Sequence, residues 1–155
     1  MKKLRIYTDT SVLGGCFDPE FAEWSLSLMA DFRARRFEPL LSDVVAAETA
    51  AAPEAVGRVF RELLDAGAEV LGVGAEALAL LAAYRRRRIL GERFTNDMLH
   101  IALATIARAD VLVSWNFQHI VRFDKIRAFN AVNIEQGHAP IAIHSPREVT
   151  SHEKG

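Results

Sequence analysis

The sequence predicts an α/β domain: a parallel, or mostly parallel, central sheet of about five short strands with helices on both faces. Three observations lead to it. Short apolar runs bounded by turn residues alternate with longer segments whose apolar residues recur every three to four positions. The alternation is sustained along the chain, as when crossover helices feed successive parallel strands. Val111-Leu112-Val113 is apolar at every position, the pattern of a strand covered on both faces.

The elements follow in order. Leu4 to Tyr7 is a short strand ending at Thr8-Asp9. Phe17 to Phe37 reads as a helix, with Phe21, Trp24, Leu28 and Phe32 on one stripe. Glu38 to Leu41 is a second strand, and Pro39 places it near an edge or at a strand start. Ser42 caps a helix running to about Ala51. Pro53 suits the first turn of the next helix, which carries Val56, Val59, Phe60, Leu63 and Leu64 and ends at Gly67. Ala68 to Leu71 is a third strand, and Ala75 to about Ile89 an Ala/Leu-rich helix. Thr95 caps a helix over Asn96 to Arg108, which precedes the Val111–Val113 strand. Asn116 to Phe123 suggests a short helix or turn, and Lys125 to Ala139 carries no legible pattern. Ile141-Ala142-Ile143 reads as the last strand, followed by Ser145-Pro146.

Composition bounds the rest. A chain of 155 residues corresponds to one domain, expected over 1–150 with a frayed tail at 151–155. At 50% hydrophobic residues and a formal net charge of -1, disorder is not expected. No apolar run approaches the roughly 20 residues that span a bilayer, so no membrane association is expected. Cys16 is alone, which precludes an internal disulfide and suits a reducing, cytoplasmic setting. The basic opening meets Asp9 after too short an apolar stretch for a secretory signal. A pI near 6.5 argues against a general nucleic-acid coat but leaves room for a basic surface beside an acidic site.

Four residues stand where such folds place ligands, outside the carboxyl ends of the strands. Asp9 follows the first strand, Glu48 lies one to two turns into the helix after the second, Asp97 opens the helix before the fourth, and Asn116 follows that strand. Singly, each has an ordinary reading as a turn, cap or solvated helix residue. Jointly they form a cluster that repels itself unless a cation neutralises it. Mg²⁺ takes hard oxygen ligands, one or two carboxylates among them, and Mn²⁺ fits the same set. Such a cation activates water and stabilises charge on a phosphate, the chemistry of phosphodiester hydrolysis. Asp97 is further favoured as an anion by its place in a first helical turn.

These residues sit in segments that resemble the PIN-domain nucleases over most of the chain. Tyr7-Thr8-Asp9-Thr10-Ser11-Val12-Leu13 is similar to the family's first motif, and Ser42-Asp43-Val44-Val45-Ala46-Ala47-Glu48 to its second. Asn96-Asp97-Met98-Leu99-His100-Ile101-Ala102-Leu103-Ala104 resembles its acid-then-His-Ile-Ala-x-Ala helix and is the most specific piece. Ala109 to Phe117 is similar to the fourth motif, and Ile143 to Val149 to the final strand and Ser/Thr-Pro turn. The resemblance implies a Mg²⁺- or Mn²⁺-dependent ribonuclease with Asp9, Glu48 and Asp97 as its acids and metal ligands. Many bacterial relatives are toxins of VapBC-type toxin–antitoxin pairs, often dimeric and held inactive by a small antitoxin. The implied partners are therefore RNA, an antitoxin and a second copy of the chain. The sequence departs from the family at Asn116, where many members carry a fourth acid. An amide oxygen can still coordinate a cation or orient a water, but it brings no charge.

Secondary candidates surround these four. Ser11, and more weakly Thr10 and Ser114, could hold a metal water or a phosphate oxygen, or simply cap the local turn. His100 shares the helical face of Asp97 and could orient a ligand or touch substrate, or be a buried, hydrogen-bonded core residue. His119, His138, His144 and His152 show no ligand spacing. Asp110 precedes its strand, at the end away from the rim, and is assigned a turn role. Arg85 to Arg88 and the Arg33, Arg35, Arg36 cluster are the basic runs, and the first suits a helix C-terminus as well as RNA. Trp115 is read as packing, with base stacking as the alternative. The leading expectation is a divalent-metal-dependent endoribonuclease. The rival is a PIN-fold module, weak or inactive in catalysis, that binds RNA or a protein. A haloacid-dehalogenase-type phosphatase ranks last, because Thr10 and Ser11 follow Asp9 where that chemistry needs a second Asp.

Overall fold

The structure, a computed structural model, describes residues 2–150. The tail expected from Ser151 lies outside the described residues. Five strands form one sheet in the order β3-β2-β1-β4-β5, with every pairing parallel. They are β1 (Leu4–Thr8), β2 (Phe37–Ser42), β3 (Glu69–Leu71), β4 (Val111–Val113) and β5 (Ile143–His144). Ile6, Tyr7 and Thr8 are all buried, as are Val111, Leu112 and Val113, so both faces of the sheet are covered. The helices are α1 (Thr10–Gly15), α2 (Ala22–Arg33), α3 (Asp43–Ala50), α4 (Glu54–Asp65), α5 (Ala75–Arg86), α6 (Thr95–Ile106), α7 (Phe123–Glu135) and α8 (Pro146–Val149). Helix α5 packs on α6 and α7, and α2 packs on α1, α4 and α8. Tyr7, Tyr84, Phe32 and Phe129 are the largest fully buried side chains of the core. Burying an aromatic side chain of this kind contributes roughly 1.5–3 kcal/mol.

Several elements differ from the sequence reading. The single helix expected over 17–37 begins only at Ala22, because the Asp18 carbonyl ties back the N–H groups of Phe21 and Ala22 in a turn. It stops at Arg33, since Arg35 is left-handed at φ 61 and reverses the chain into β2. The short helix α1, directly after Asp9, was not foreseen. Pro39 lies in an internal strand, not an edge. It is tolerated because β3 joins β2 only from Leu40 onward, leaving Pro39 beyond that ladder. Helix α5 ends at Arg86, short of Ile89, with Arg88 left-handed at φ 53. Thr95 is the first residue of α6 and caps nothing: its hydroxyl donates to the Glu92 carbonyl in a preceding 3-10 turn, Glu92–Phe94. Helix α7 fills the stretch that showed no pattern, and β5 lies two residues later than expected. Ile141 instead exchanges both backbone groups with the Asn130 side chain.

The order of strands reverses at β1 and β4, which carry the chain to opposite sides of the sheet. Their carboxyl ends therefore open the crevice in which such sheets bind ligands.

Candidate active site

Asp9 leaves β1 in extended conformation and stands at the head of α1, without capping it. Its carboxylate is occupied otherwise. Ser11 Oγ donates to Oδ1 and Ser114 Oγ to Oδ2, both at 2.6 Å. Each hydroxyl also accepts a backbone N–H, from Trp115 and Asn116 respectively, so each is aimed by the chain around it. Asp9 is only 4% exposed, and among the described residues it has no ion pair. Burial pushes its carboxyl above the ordinary range, and the nearby His100 and the two serines only partly oppose this.

Glu48 projects from α3, whose start is fixed by the Ser42 cap on the Val45 N–H. Its Oε1 accepts from the Thr10 hydroxyl and meets His100 Nε2 at 2.9 Å, and its Oε2 accepts from Asn96. Burial opposes the Glu48 charge, but the His100, Thr10 and Asn96 hydrogen bonds and the His100 charge outweigh it. The carboxyl is held down to about 2. An ionised carboxylate only accepts, so Nε2 of His100 carries the proton. Nδ1 is hydrogen-bonded to the Tyr7 hydroxyl at 2.7 Å, and that hydroxyl to Ser42 Oγ at 2.8 Å. Burial keeps Tyr7 protonated by pushing its phenol up. A buried polar chain thus runs from the sheet, through α6, to Glu48. His100 is thus a buried, hydrogen-bonded residue whose two ring nitrogens face Tyr7 and Glu48.

Asp97 lies in the first turn of α6, its Oδ2 accepting from Asn116 Nδ2 at 3.3 Å and meeting His119 Nδ1 at 2.9 Å. Asn116 Oδ1 accepts the N–H groups of Gln118 and His119, so Asn116 holds the turn that presents His119. Both ends of the Asn116 side chain are engaged in positioning. Of the short helix or turn expected at 116–123, the structure has the turn. His119 also lies against Phe94, with ring centroids 4.0 Å apart. Sequence reading passed over His119. The signal was Asn116 itself, because an Asn-nucleated turn brings the third residue onward back to the same side.

The remaining candidates sort as follows. Ser11 and Ser114 both spend their hydroxyl protons on Asp9. Trp115 stacks on Phe21 at 4.2 Å and donates from Nε1 to Ser25, so it packs rather than faces the rim. Asp110 accepts the Arg5 N–H at the amino end of the sheet, as a turn residue there would. Arg87 pairs with Glu135 and Arg85 donates to Thr95, tying α5 to α7 and α6. The three acids join through two short paths: Asp9 to Asp97 by Ser114 and Asn116, and Asp9 to Glu48 by Thr10. Among the described residues, no three His, Cys, Asp or Glu side chains converge closely enough to enclose a metal ion as they stand. The donor chemistry nonetheless fits a hard divalent cation. Asp9 is a buried carboxylate held by two hydroxyls with no ion pair among the described residues, and Mg²⁺ needs only one or two carboxylates beside its waters.

A family model for the PIN domain matches residues 6–126. The chain belongs to the PIN-domain family. No curated protein is significantly similar to it in sequence. Solved structures similar to this PIN domain include VapBC2 from Rickettsia felis bound to a DNA fragment from their promoter. There the TM-score is 0.59 at 14% identity, over 92% of this chain and 98% of that one. FitAcB from Neisseria gonorrhoeae gives a TM-score of 0.58 at 16% identity, over 93% of this chain and 99% of that one. FitAB bound to an IR36 DNA fragment gives 0.61 at 16% identity, over 95% and 99%. At these identities the likeness concerns the fold. Among the described residues, no helix of the PIN domain is long and apolar enough to cross a membrane.

Proposed function

We propose that this PIN domain, a single unit over 1–150, is a divalent-metal-dependent endoribonuclease that hydrolyses RNA phosphodiester bonds. The observation that carries the reading is the buried, hydroxyl-held carboxylate of Asp9 at the sheet's switch point, with Glu48 joined to it through Thr10 and Asp97 through Ser114 and Asn116. In this reading Asp9 and Asp97 are the primary ligands of Mg²⁺ or Mn²⁺, with Glu48 assisting. When bound, the cation supplies a nucleophilic water and neutralises charge building on the phosphate. The chain's own residues prepare the site. Ser11 and Ser114 fix Asp9, and His100 and Thr10 keep Glu48 ionised and aimed at the crevice. Asn116 and His119 steady Asp97. Asn116 is a positioning residue here, not a ligand, since its oxygen is engaged with two backbone N–H groups.

The kinship with VapBC2 and FitAB assemblies supports a place in a toxin–antitoxin pair. A small antitoxin, a second copy of the chain and a cytoplasmic setting belong to the same proposal. The test is cleavage of a panel of structured RNAs with Mn²⁺ or Mg²⁺ against chelator, for wild type and Asp97→Asn. Metal-dependent cutting lost in the variant is the expected result. Cutting that persists in Asp97→Asn removes Asp97 from the site. Tight metal or RNA binding without turnover on any RNA would instead favour a binding module.

A further inference from the structure

The arginine run of α5 and the turn before α6 meet beside the acid rim. Arg85 donates to Thr95 Oγ1 at 2.6 Å, two residues from Asp97. Arg85 and Arg88 line a cleft of about 360 Å³ with Leu90, Gly91 and Glu92. Arg93 lies over the Phe94 ring, 4.8 Å from its centroid, and Phe94 lies against His119, which holds Asp97. Cation, aromatic ring and imidazole therefore form a continuous ledge leading from the cleft to the acid. Among the described residues Arg88 and Arg93 form no ion pair, and Glu92 is the one acid lining the cleft. The positive end of α6 adds to the same field.

We propose that this ledge and cleft are the track along which single-stranded RNA reaches the acid rim. Arg88 and Arg93 take backbone phosphates, and the Phe94–His119 pair stacks a base. The inference rests on the ribonuclease reading and names where its substrate lies. Arginine's planar fork suits phosphate oxygens, and guanidinium planes and aromatic rings are the surfaces on which unpaired bases stack. A protein partner is less well matched, because the ledge has little contiguous apolar surface: Phe94 and Leu90 are half-buried and their neighbours are charged. A duplex is disfavoured too, since its bases are already stacked on one another.

The experiment measures binding of a dye-labelled mixed-sequence single-stranded oligoribonucleotide by anisotropy, with chelator present, across a salt series. The proteins are wild type, the double variant Arg88→Asn/Arg93→Gln, Phe94→Leu, and an off-track control, Arg58→Gln/Arg61→Gln on α4. Asn suits the left-handed backbone at Arg88. Loss of two phosphate contacts is expected to flatten the plot of log affinity against log salt by about 1.4, at roughly 0.7 per contact on single strands. Phe94→Leu is expected to weaken binding about tenfold, and the control to leave affinity and slope unchanged. The track is overturned if the double variant matches wild type, if the control loses as much, or if duplex RNA binds as well as the single strand. It is equally overturned if polyglutamate competes as effectively as RNA and depends on the same arginines. Failure of the two proposals is separable. RNA bound through the track but never cut with Mn²⁺ removes the ribonuclease reading alone. Normal cutting with unaltered binding by the double variant removes the track alone.

Discussion

Replacing Asp9 with Asn should make the metal-free protein more stable, although it should abolish cleavage. The ionised carboxylate is 4% exposed and its neighbours supply two hydroxyl hydrogen bonds and no ion pair. Effective desolvation of a buried ion costs several kcal/mol, against which hydrogen bonds to a charged group return about 1.5–3 kcal/mol each. The upward shift of the Asp9 carboxyl says that desolvation wins. Asn keeps both serine partners, since a hydroxyl can donate to its oxygen or accept from its amide. The gain therefore has the sign of stabilisation, and each kcal/mol of it raises Tm by about 2–4 °C for a domain of this size. The pH dependence follows from the sign of the shift. A carboxyl whose folded pKa is raised holds its proton more tightly in the native state, so native stability falls as pH rises from the unfolded value through the folded one. The gap between variant and wild type should widen as pH rises through the folded Asp9 value and close in acid. Saturating Mg²⁺ should reverse the ranking, because a ligand at 100 times its Kd stabilises by about 2.7 kcal/mol and only wild type retains the site. Thermal melts in chelator and in Mg²⁺, from pH 4 to 8, measure all of this. A variant less stable than wild type in chelator at pH 7 would refute the reasoning.

Other substitutions probe the surrounding contacts. Glu48→Gln should show the opposite pH trend. The stabilisation from the Glu48 charge is present above the ordinary value of 4.5 and is lost as pH falls toward about 2, so the variant should be the less stable protein at neutral pH and converge with wild type in strong acid. His100→Phe removes the hydrogen bonds to Glu48 and Tyr7 and should cost about 1–3 kcal/mol in chemical denaturation, with His100→Gln recovering part of it. His119→Ala should weaken Mn²⁺ binding by about 10–100-fold without lowering Tm comparably, the usual cost of losing a ligand's outer partner. Gly15→Ala would place a methyl 2.6 Å from Ser25 Oγ and 2.7 Å from Trp115 Nε1. Because that pair is itself hydrogen-bonded, the substitution should cost about 1–3 kcal/mol, and an unchanged melt would contradict the packing described.

The parallel sheet and three carboxylates were legible because each rests on a local rule: apolar runs for strands, and acids at strand ends or helix starts. What escaped depends on tertiary partners. In α7 the core-facing Asn133 is polar, and is satisfied by the Tyr84 hydroxyl and Thr105, while Phe123 stands 75% exposed at the helix start. The apolar pattern therefore misstates which face is buried. Helix α1 holds two glycines in six residues and is kept by its packing against α2 and Trp115, which no propensity reveals. Asn116 was visible as a residue of the rim but not as a device, because its role lies in what its two ends hold. His119 was hidden for the same reason.

Asp9, Glu48 and Asp97 are expected to act as one cation site. The most direct measurement is a calorimetric titration of Mn²⁺ into the metal-free protein, for wild type, Asp9→Asn and Asp97→Asn. Saturable binding is expected for wild type, with its loss or severe weakening in both variants, each still folded by circular dichroism. Binding of equal strength in wild type and both variants would place the cation elsewhere and rule out a shared site at these three carboxylates.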